Sequence, residues 1–209
     1  PIQVALERAE PQMALDLAEG AMEIISDDVN LFWWRGHAQN LLGLRAQAAA
    51  SWRRALELQE RAPEIPPVLA QILIDLGDFA GAMEVARLGI GLSVYSADAH
   101  ALLAWSCYRA SEITEAVAAA RMACDLDPVH PRAIWIRILV LLRTPAPGEA
   151  RAAADHALRV RQLLSPGLDT SFLATFTEEL GAIAAADEAT VQLIAELRQR
   201  LAAPVQSSL

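Results

Sequence analysis

A 34-residue spacing between small residues is the feature that most constrains the fold of this chain. Alanine recurs five times at this spacing without an insertion, and a second column of small residues follows seven residues later. The two columns are Ala14, Ala48, Ala82, Ala116 and Ala150, and Ala21, Ala55, Gly89, Ala123 and Ala157; a third runs through Gly36, Ala70 and Ala104. A fixed period of this length is typical of solenoids, in which one supersecondary unit is repeated and stacked. It favours recognition through a surface over catalysis.

Each unit carries the pattern of two amphipathic helices. In the unit that begins at Ala97, apolar residues fall at i, i+3, i+4 and i+7 in two blocks that meet near residues 109–113. Asp98 is predicted to cap the first helix and Asp127-Pro128 to end the second, since the residue before proline avoids the α region. The same pattern shifted by 34 residues predicts helices at 2–9, 11–25, 31–42, 46–60, 66–76, 80–93, 132–143 and 149–163.

These units are similar to the tetratricopeptide repeat, which pairs Leu with a small residue in helix A and has a Gly-Asp-aromatic turn, a helix B alanine and a final Asp-Pro. The matching residues are Leu69-Ala70, Gly77-Asp78-Phe79, Ala82, Leu103-Ala104, Tyr108, Ala116, Ala123 and Leu126-Asp127-Pro128. Ile138 and Pro145 depart from the pattern, because they replace the small residue of helix A and the turn glycine. The resemblance covers about residues 1–163 and implies an all-α, right-handed α-solenoid of helix-turn-helix repeats.

The predicted domains follow from this register. The repeat array spans residues 1–164, with a partial unit at about 1–28 and full units at 29–62, 63–96, 97–130 and 131–164. Ser165-Pro166-Gly167 breaks the array, and two further helices are expected, from Asp169 or Thr170 to about 184 and from Asp187 to about 201. Since the end of a stacked array needs a cap, residues 165–203 are predicted to be a C-terminal helical hairpin that caps it, followed by a tail at 204–209.

Composition and charge argue against several classes of function. The formal charge of −9 argues against nucleic-acid binding, which needs a clustered basic face. No apolar run approaches the roughly 20 residues that span a bilayer. Cys107 and Cys124 lie within helical patterns and are expected to be buried, reduced packing residues. All 17 basic residues are arginine, which favours a bacterial source with a GC-rich genome. The sequence leaves the compartment open between cytoplasm and periplasm.

The candidate catalytic residues do not form a known motif. The four histidines lack metal-ligand spacing on any one helix, there is no glycine-rich phosphate loop, and Ser106 lacks a nucleophile elbow. His130 is expected to be a capping or turn residue, and Glu178-Glu179 a solvated surface pair. The sequence therefore predicts a protein that is not an enzyme and has no cofactor or metal.

The resemblance also implies where a partner would bind. In tetratricopeptide arrays helix A lines the concave groove, so the residues expected to contact a partner are Trp33, His37, Asn40, Gln71, Trp105, Tyr108, Arg109, Arg132, Trp135, Leu139 and Arg143. For Trp33, Trp105 and Trp135 the alternative is packing against the solenoid itself or the C-terminal hairpin. Trp52 falls on helix B and is expected in the core.

The leading functional hypothesis is a scaffold whose groove takes an extended or helical apolar segment of a partner protein. Arg109 and Arg143, with Arg132 nearby, are expected to attract the acidic end of that segment, because Glu64, Asp75 and Asp98 lie toward the other end. Two alternatives stay open. One is self-assembly into a dimer or oligomer. The other, suggested by the start in mid-helix, is a regulatory or targeting domain of a larger enzyme or of a secretion or assembly system.

Overall fold

The computed structural model describes residues 1–163, 170–184 and 187–202, with only the backbone for residues 163, 170 and 171. Within these residues the chain forms twelve α-helices and no strand. The helices are α1 (Ile2–Glu7), α2 (Pro11–Met22), α3 (Val29–Leu41), α4 (Arg45–Leu58), α5 (Ile65–Asp75), α6 (Phe79–Leu92), α7 (Ala97–Arg109), α8 (Ile113–Leu126), α9 (Ala133–Leu141), α10 (Pro147–Leu163), α11 (Thr170–Ala182) and α12 (Glu188–Ala202). The predicted all-α fold is confirmed.

The helices belong to two compact units, Pro1–Val94 and Tyr95–Leu209. In the first unit, α1 to α6 pack in chain order, each on the next, and α1 also reaches α3. In the second unit, α7, α8, α9 and α10 follow the same rule, α7 also contacts α9, α11 packs on α9 and α12 packs on α10. Contact between neighbours along the chain is the packing mode of a solenoid.

The columns of small residues lie in the closest packing of each hairpin. All five alanines of the first column are 0% exposed, as are Ala55, Ala123 and Ala157 of the second. Two helices approach to about 8–10 Å only where the side chains between them are short. The 34-residue period therefore marks the helix crossings.

The same backbone conformation recurs in the turns every 34 residues. Ala9, Gly43, Gly77 and Ser111 all have positive φ, at 58°, 76°, 79° and 66°. At each turn, the residue after the one with positive φ donates its N–H to the helix carbonyl five residues earlier, as Leu44 N does to Gln39 O at 2.8 Å. This is the hydrogen bond of the Schellman motif. The next position in the series is Pro145, whose ring fixes φ near −65°. The α9–α10 turn is accordingly closed by shorter-range bonds, from Arg143 N to Val140 O and from Thr144 N to Leu141 O.

Most predicted helix ends agree with the structure, and one cap differs. The prediction that Asp98 caps α7 is wrong: Ser96 accepts the bond from Ala99 N at 3.2 Å, and Asp98 lies in the first turn. His130 is a turn residue before α9, as expected, and its Nδ1 accepts from the N–H of Ala133, the first residue of that helix, at 3.2 Å. Asp187 begins α12 by accepting from Thr190 N at 2.7 Å. The alternative start at Asp169 and the break at 165–167 lie outside the described residues.

Three further expectations about the core are confirmed. Trp52 is buried, with 2% of its surface exposed. Cys107 and Cys124 are both buried free thiols. Burial raises the pKa of the Cys124 thiol, which keeps that sulfur neutral and unreactive.

Candidate partner-binding site

In the first unit, an aromatic cluster forms on α3. It consists of Trp33, Trp34 and His37 of α3 and Trp52 of α4. The His37 ring lies 4.4 Å from the ring of Trp33 and 5.2 Å from that of Trp52, both edge to face. Trp52 Nε1 donates to the Trp33 carbonyl at 3.3 Å. Burial lowers the pKa of His37, so the cluster is uncharged near neutral pH.

Three of the four predicted site residues of this unit lie on one stripe of α3 at the spacing i, i+4 and i+7, and Leu41 extends the stripe at i+8. We call this stripe the α3 face; it comprises Trp33, His37, Asn40 and Leu41. Trp33 and His37 are half-buried, Asn40 is exposed and Leu41 is 60% exposed. Gln71, on α5, is half-buried and donates to Asp75 Oδ1 at 3.0 Å. Helices α3 and α5 both pack on α4. The α3 face is thus partly accessible, and it combines the apolar side chains of Trp33 and Leu41 with the polar ones of His37 and Asn40.

In the second unit, the predicted aromatic site residues form a buried platform on α7 and α9, with two exposed arginines at its edge. Trp105 and Tyr108 stack with ring centroids 5.3 Å apart and an interplanar angle of 11°. The Arg109 guanidinium lies over Trp105, 5.5 Å from the ring centroid, and that of Arg143 lies over Tyr108 at 5.4 Å. Trp135 is 4% exposed. We call these side chains, together with Leu139, the α7–α9 face.

Helix α11 covers the α7–α9 face. Phe172 meets Trp105 edge to face at 5.2 Å, and Phe176 lies 5.0 Å from Trp135. Phe176 and Leu180 are both 0% exposed. The expectation that Trp105 and Trp135 line an open groove is therefore wrong for this structure, and the alternative, packing against the C-terminal helices, is what occurs. The physical reason is that exposing large apolar side chains is costly. The sequence feature that could have indicated this packing is the apolar series Phe172, Phe176 and Leu180, at i, i+4 and i+8 of α11.

An acidic residue of α11 meets the polar edge of the same face. Tyr108 Oη donates to Glu179 Oε2 at 3.2 Å, and Arg109 Nε lies 3.7 Å from Glu179 Oε1. Burial first, and the adjacent Glu179 carboxylate second, raise the pKa of Tyr108 to about 12. The prediction of a solvated Glu178-Glu179 pair is thus right for the exposed Glu178 and wrong for Glu179.

Arg132 belongs to a different place from the other two arginines. It precedes α9 whereas Arg143 follows it, and the nine residues of this helix span about 14 Å. Arg132 Nη2 lies 3.7 Å from Asp98 Oδ1, and His130 Nε2 lies 3.0 Å from the same oxygen. The hydrogen bond from His130 first, and the charge of Arg132 after it, lower the pKa of Asp98. The prediction of Arg132 near Arg109 and Arg143 is wrong.

Two further kinds of feature are absent from the residues that the structure describes. No group of three or more His, Cys, Asp or Glu side chains there is arranged to hold a metal ion. No helix in the described part of the chain has the length and apolar character needed to cross a membrane.

Comparison with solved structures identifies the fold. No protein-family model and no curated protein matches the chain. Residues 41 to the end of MamA from Desulfovibrio magneticus RS-1 superpose with a TM-score of 0.70 at 20% identity, over 80% of this chain and 93% of that one. YrrB, described as a TPR protein with an unusual peptide-binding site, superposes with a TM-score of 0.70 at 16% identity, over 83% of this chain and 88% of that one. The chain has the tetratricopeptide-repeat fold. TTC0263, a TPR protein of Thermus thermophilus, has the same fold and superposes with a TM-score of 0.61 at 19% identity, over 86% of this chain and 99% of that one.

Within the tetratricopeptide-repeat fold, the predicted partner-binding residues separate into two sets. The first lies on α3 and α5 and is at least partly exposed; its members are Trp33, His37, Asn40 and Gln71. The second lies on α7 and α9 or at their ends. Its members are Trp105, Tyr108, Arg109, Arg132, Trp135, Leu139 and Arg143, of which the four uncharged side chains are buried.

Proposed function

We propose that the chain is a non-catalytic protein-interaction scaffold whose α3 face binds a segment of a partner protein. The observation that carries the proposal is the continuous stripe on α3, where half-buried Trp33 and His37 lead to exposed Asn40 and Leu41. A part-exposed tryptophan beside an exposed leucine supplies the apolar anchors that interaction sites use. The peptide-binding site named for YrrB supports the proposal, because the two chains share a fold.

The chemistry of the α3 face indicates the class of segment that it takes. The Trp33 ring and the Leu41 side chain offer apolar area, which favours apolar side chains in the partner. The Asn40 amide can both donate to and accept from a partner backbone. The lowered pKa of His37 keeps this ring uncharged. An uncharged or weakly charged apolar segment therefore fits best.

Selection of peptides on the purified chain tests the proposal. Peptides from a random library would be selected on the full chain, and their dissociation constants measured by fluorescence anisotropy. Leu41→Asp should weaken binding at least about tenfold, because it places a charge in a desolvated contact. The matched control is Leu88→Asp, which changes an exposed leucine of α6 in the same unit. Equal affinities for the two variants would refute the assignment.

Self-assembly is a second candidate because the surface of the first two helices carries exposed apolar side chains. Five exposed or largely exposed apolar side chains lie on or just after α1 and α2: Val4, Met13, Leu17, Ile24 and Ile25. A second copy that covers this surface would bury them. Multi-angle light scattering over a range of concentrations decides the matter, since a constant monomer mass rules this candidate out.

A further inference from the structure

Helix α11 departs from the packing order of the array. In a solenoid each repeat contacts its neighbours, so a helix that follows α10 should continue the stack. Helix α11 packs on α9, as α9 packs on α7, but its side chains also reach α7, two hairpins earlier. Phe172 contacts Trp105 and Glu179 bonds to Tyr108. Helix α12, by contrast, packs on α10. Helix α11 therefore lies across the helix A side of this unit.

The contacts of α11 have the pattern of a helix bound in a groove. Phe172, Phe176, Glu179 and Leu180 stand at i, i+4, i+7 and i+8, which places them on one side of a helix. The three apolar side chains are buried. The acid lies between Tyr108 Oη and the guanidinium of Arg109. Charge and shape thus both fix the direction of α11 on the α7–α9 face.

We propose that the α7–α9 face is a helix-binding site that α11 occupies within the same chain. Its partner is an amphipathic helix with two aromatic residues four positions apart, an acid three positions after the second, and leucine next. This rests on the proposed scaffold function and adds the class of partner. The partner helix takes the place of α11, with its acid at Arg109 and its aromatic rings on Trp105 and Trp135.

Helix α11 is held in a way that permits exchange. It has thirteen residues, and isolated helices of this length are marginal in water. Its outer side, at Ala174, Thr177 and Glu178, is exposed. The ion pair of Glu179 with Arg109 is itself partly exposed, at 22% and 37% of the two side chains, so solvent screens it. A partner helix with the same pattern can make the same contacts.

The test measures binding of the α11 sequence as a separate peptide to the full chain. The probe is a labelled peptide of residues 170–182, followed by fluorescence anisotropy. The variant is Glu179→Arg, which sets a positive charge against Arg109 while leaving the α7–α9 face unchanged. An internal helix lowers the apparent affinity by the fraction of molecules that are open, so weakening it should tighten peptide binding about tenfold. The matched control, Glu178→Arg, changes the exposed neighbour and should bind like the wild type.

A second variant and a second peptide make the result decisive. Phe176→Ser removes the ring from Trp135 and should tighten peptide binding further, with far-UV circular dichroism as the check on folding. A peptide that carries alanine in place of both phenylalanines should not bind any variant. Equal peptide affinity for the wild type and Glu179→Arg would overturn the proposal. So would a wild-type dimer in light scattering that Glu179→Arg converts to a monomer, because the occupant would then be the α11 of a second copy.

The two proposals fail separately. Leu41→Asp, in the first unit, should leave the affinity for the α11 peptide unchanged. If Leu41→Asp has no effect on library peptides while Glu179→Arg tightens binding of the α11 peptide, the α3 face is wrong and the α7–α9 site stands. The reverse result rejects the exchange of α11 and keeps the α3 face.

Discussion

Replacing Gly36 by alanine should destabilise the first unit, although the same change usually stabilises a helix. Gly36 lies in α3 against the indole of Trp52. A Cβ added at Gly36 would lie 2.5 Å from Trp52 Nε1 and 2.7 Å from Cδ1, well inside any normal contact. The indole has little room to move, because it is 2% exposed and its Nε1 donates to the Trp33 carbonyl at 3.3 Å.

The expected size of the effect comes from three terms. Alanine in place of glycine in a helix interior is worth about 1 kcal/mol of stability. Forcing a methyl group into a packed contact costs roughly 1–3 kcal/mol, and losing the Trp52 hydrogen bond costs about 1 kcal/mol more. The net loss in the free energy of unfolding should therefore be roughly 1–3 kcal/mol.

Urea denaturation followed by circular dichroism at 222 nm measures this loss. In a Trp52→Leu background the crowding is gone, so Gly36→Ala should then stabilise by about 1 kcal/mol. Gly91→Ala is the control, since a Cβ at that exposed α6 position meets nothing within 4 Å; it should also stabilise by about 1 kcal/mol. If Gly36→Ala shifts the midpoint equally in both backgrounds, the close approach of α3 and α4 is refuted.

Three more predictions follow from the turns, the buried tryptophan and an acid. Gly77→Ala should lower the free energy of unfolding by roughly 1–2 kcal/mol and Ser111→Gly should raise it by about 1 kcal/mol, because both positions have positive φ. Shifts of the urea midpoint in opposite directions would confirm this prediction. Trp135→Ala should cost roughly 3–5 kcal/mol in a denaturant melt, as for a core tryptophan, and an unchanged melt would show that this ring does not support the fold. The pKa of Asp98 is lowered in the folded state. The ionised carboxylate therefore adds to the free energy of unfolding above the ordinary pKa of 3.8, and this stabilisation is lost as the pH falls through the lowered pKa. Asp98→Asn should accordingly flatten the loss of stability below about pH 4, measured as melting temperature against pH.

The sequence predicted what depends on local periodicity. The helix crossings at Ala48 and Ala82 could be found because the same spacing recurs along the chain, and proline positions fixed most helix ends. The cap of α7 was misassigned by two residues, since Ser96 and Asp98 are both residue types that cap helices well.

The contacts of α11 could not be predicted in the same way. Tyr108 and Glu179 are 71 residues apart, and no repeat relates the two positions. The spacing of Phe172, Phe176 and Leu180 predicts an apolar side on α11, but the place where this side packs depends on the fold of α7 and α9. The residues of the α3 face, in contrast, could be predicted from the resemblance alone, whereas their exposure is seen only in the structure.

The recurring left-handed turn has a consequence for how such a chain can change in length. Ala9, Gly43, Gly77 and Ser111 place the same kind of bend after α1, α3, α5 and α7, so a duplicated 34-residue segment would present the same ends as the segment it follows. Duplication of residues 29–62 should therefore yield a longer protein that still folds. Pro145 interrupts the series, and a copy joined through that turn would meet a different geometry. The chain can be expected to grow or shrink before this proline and not across it.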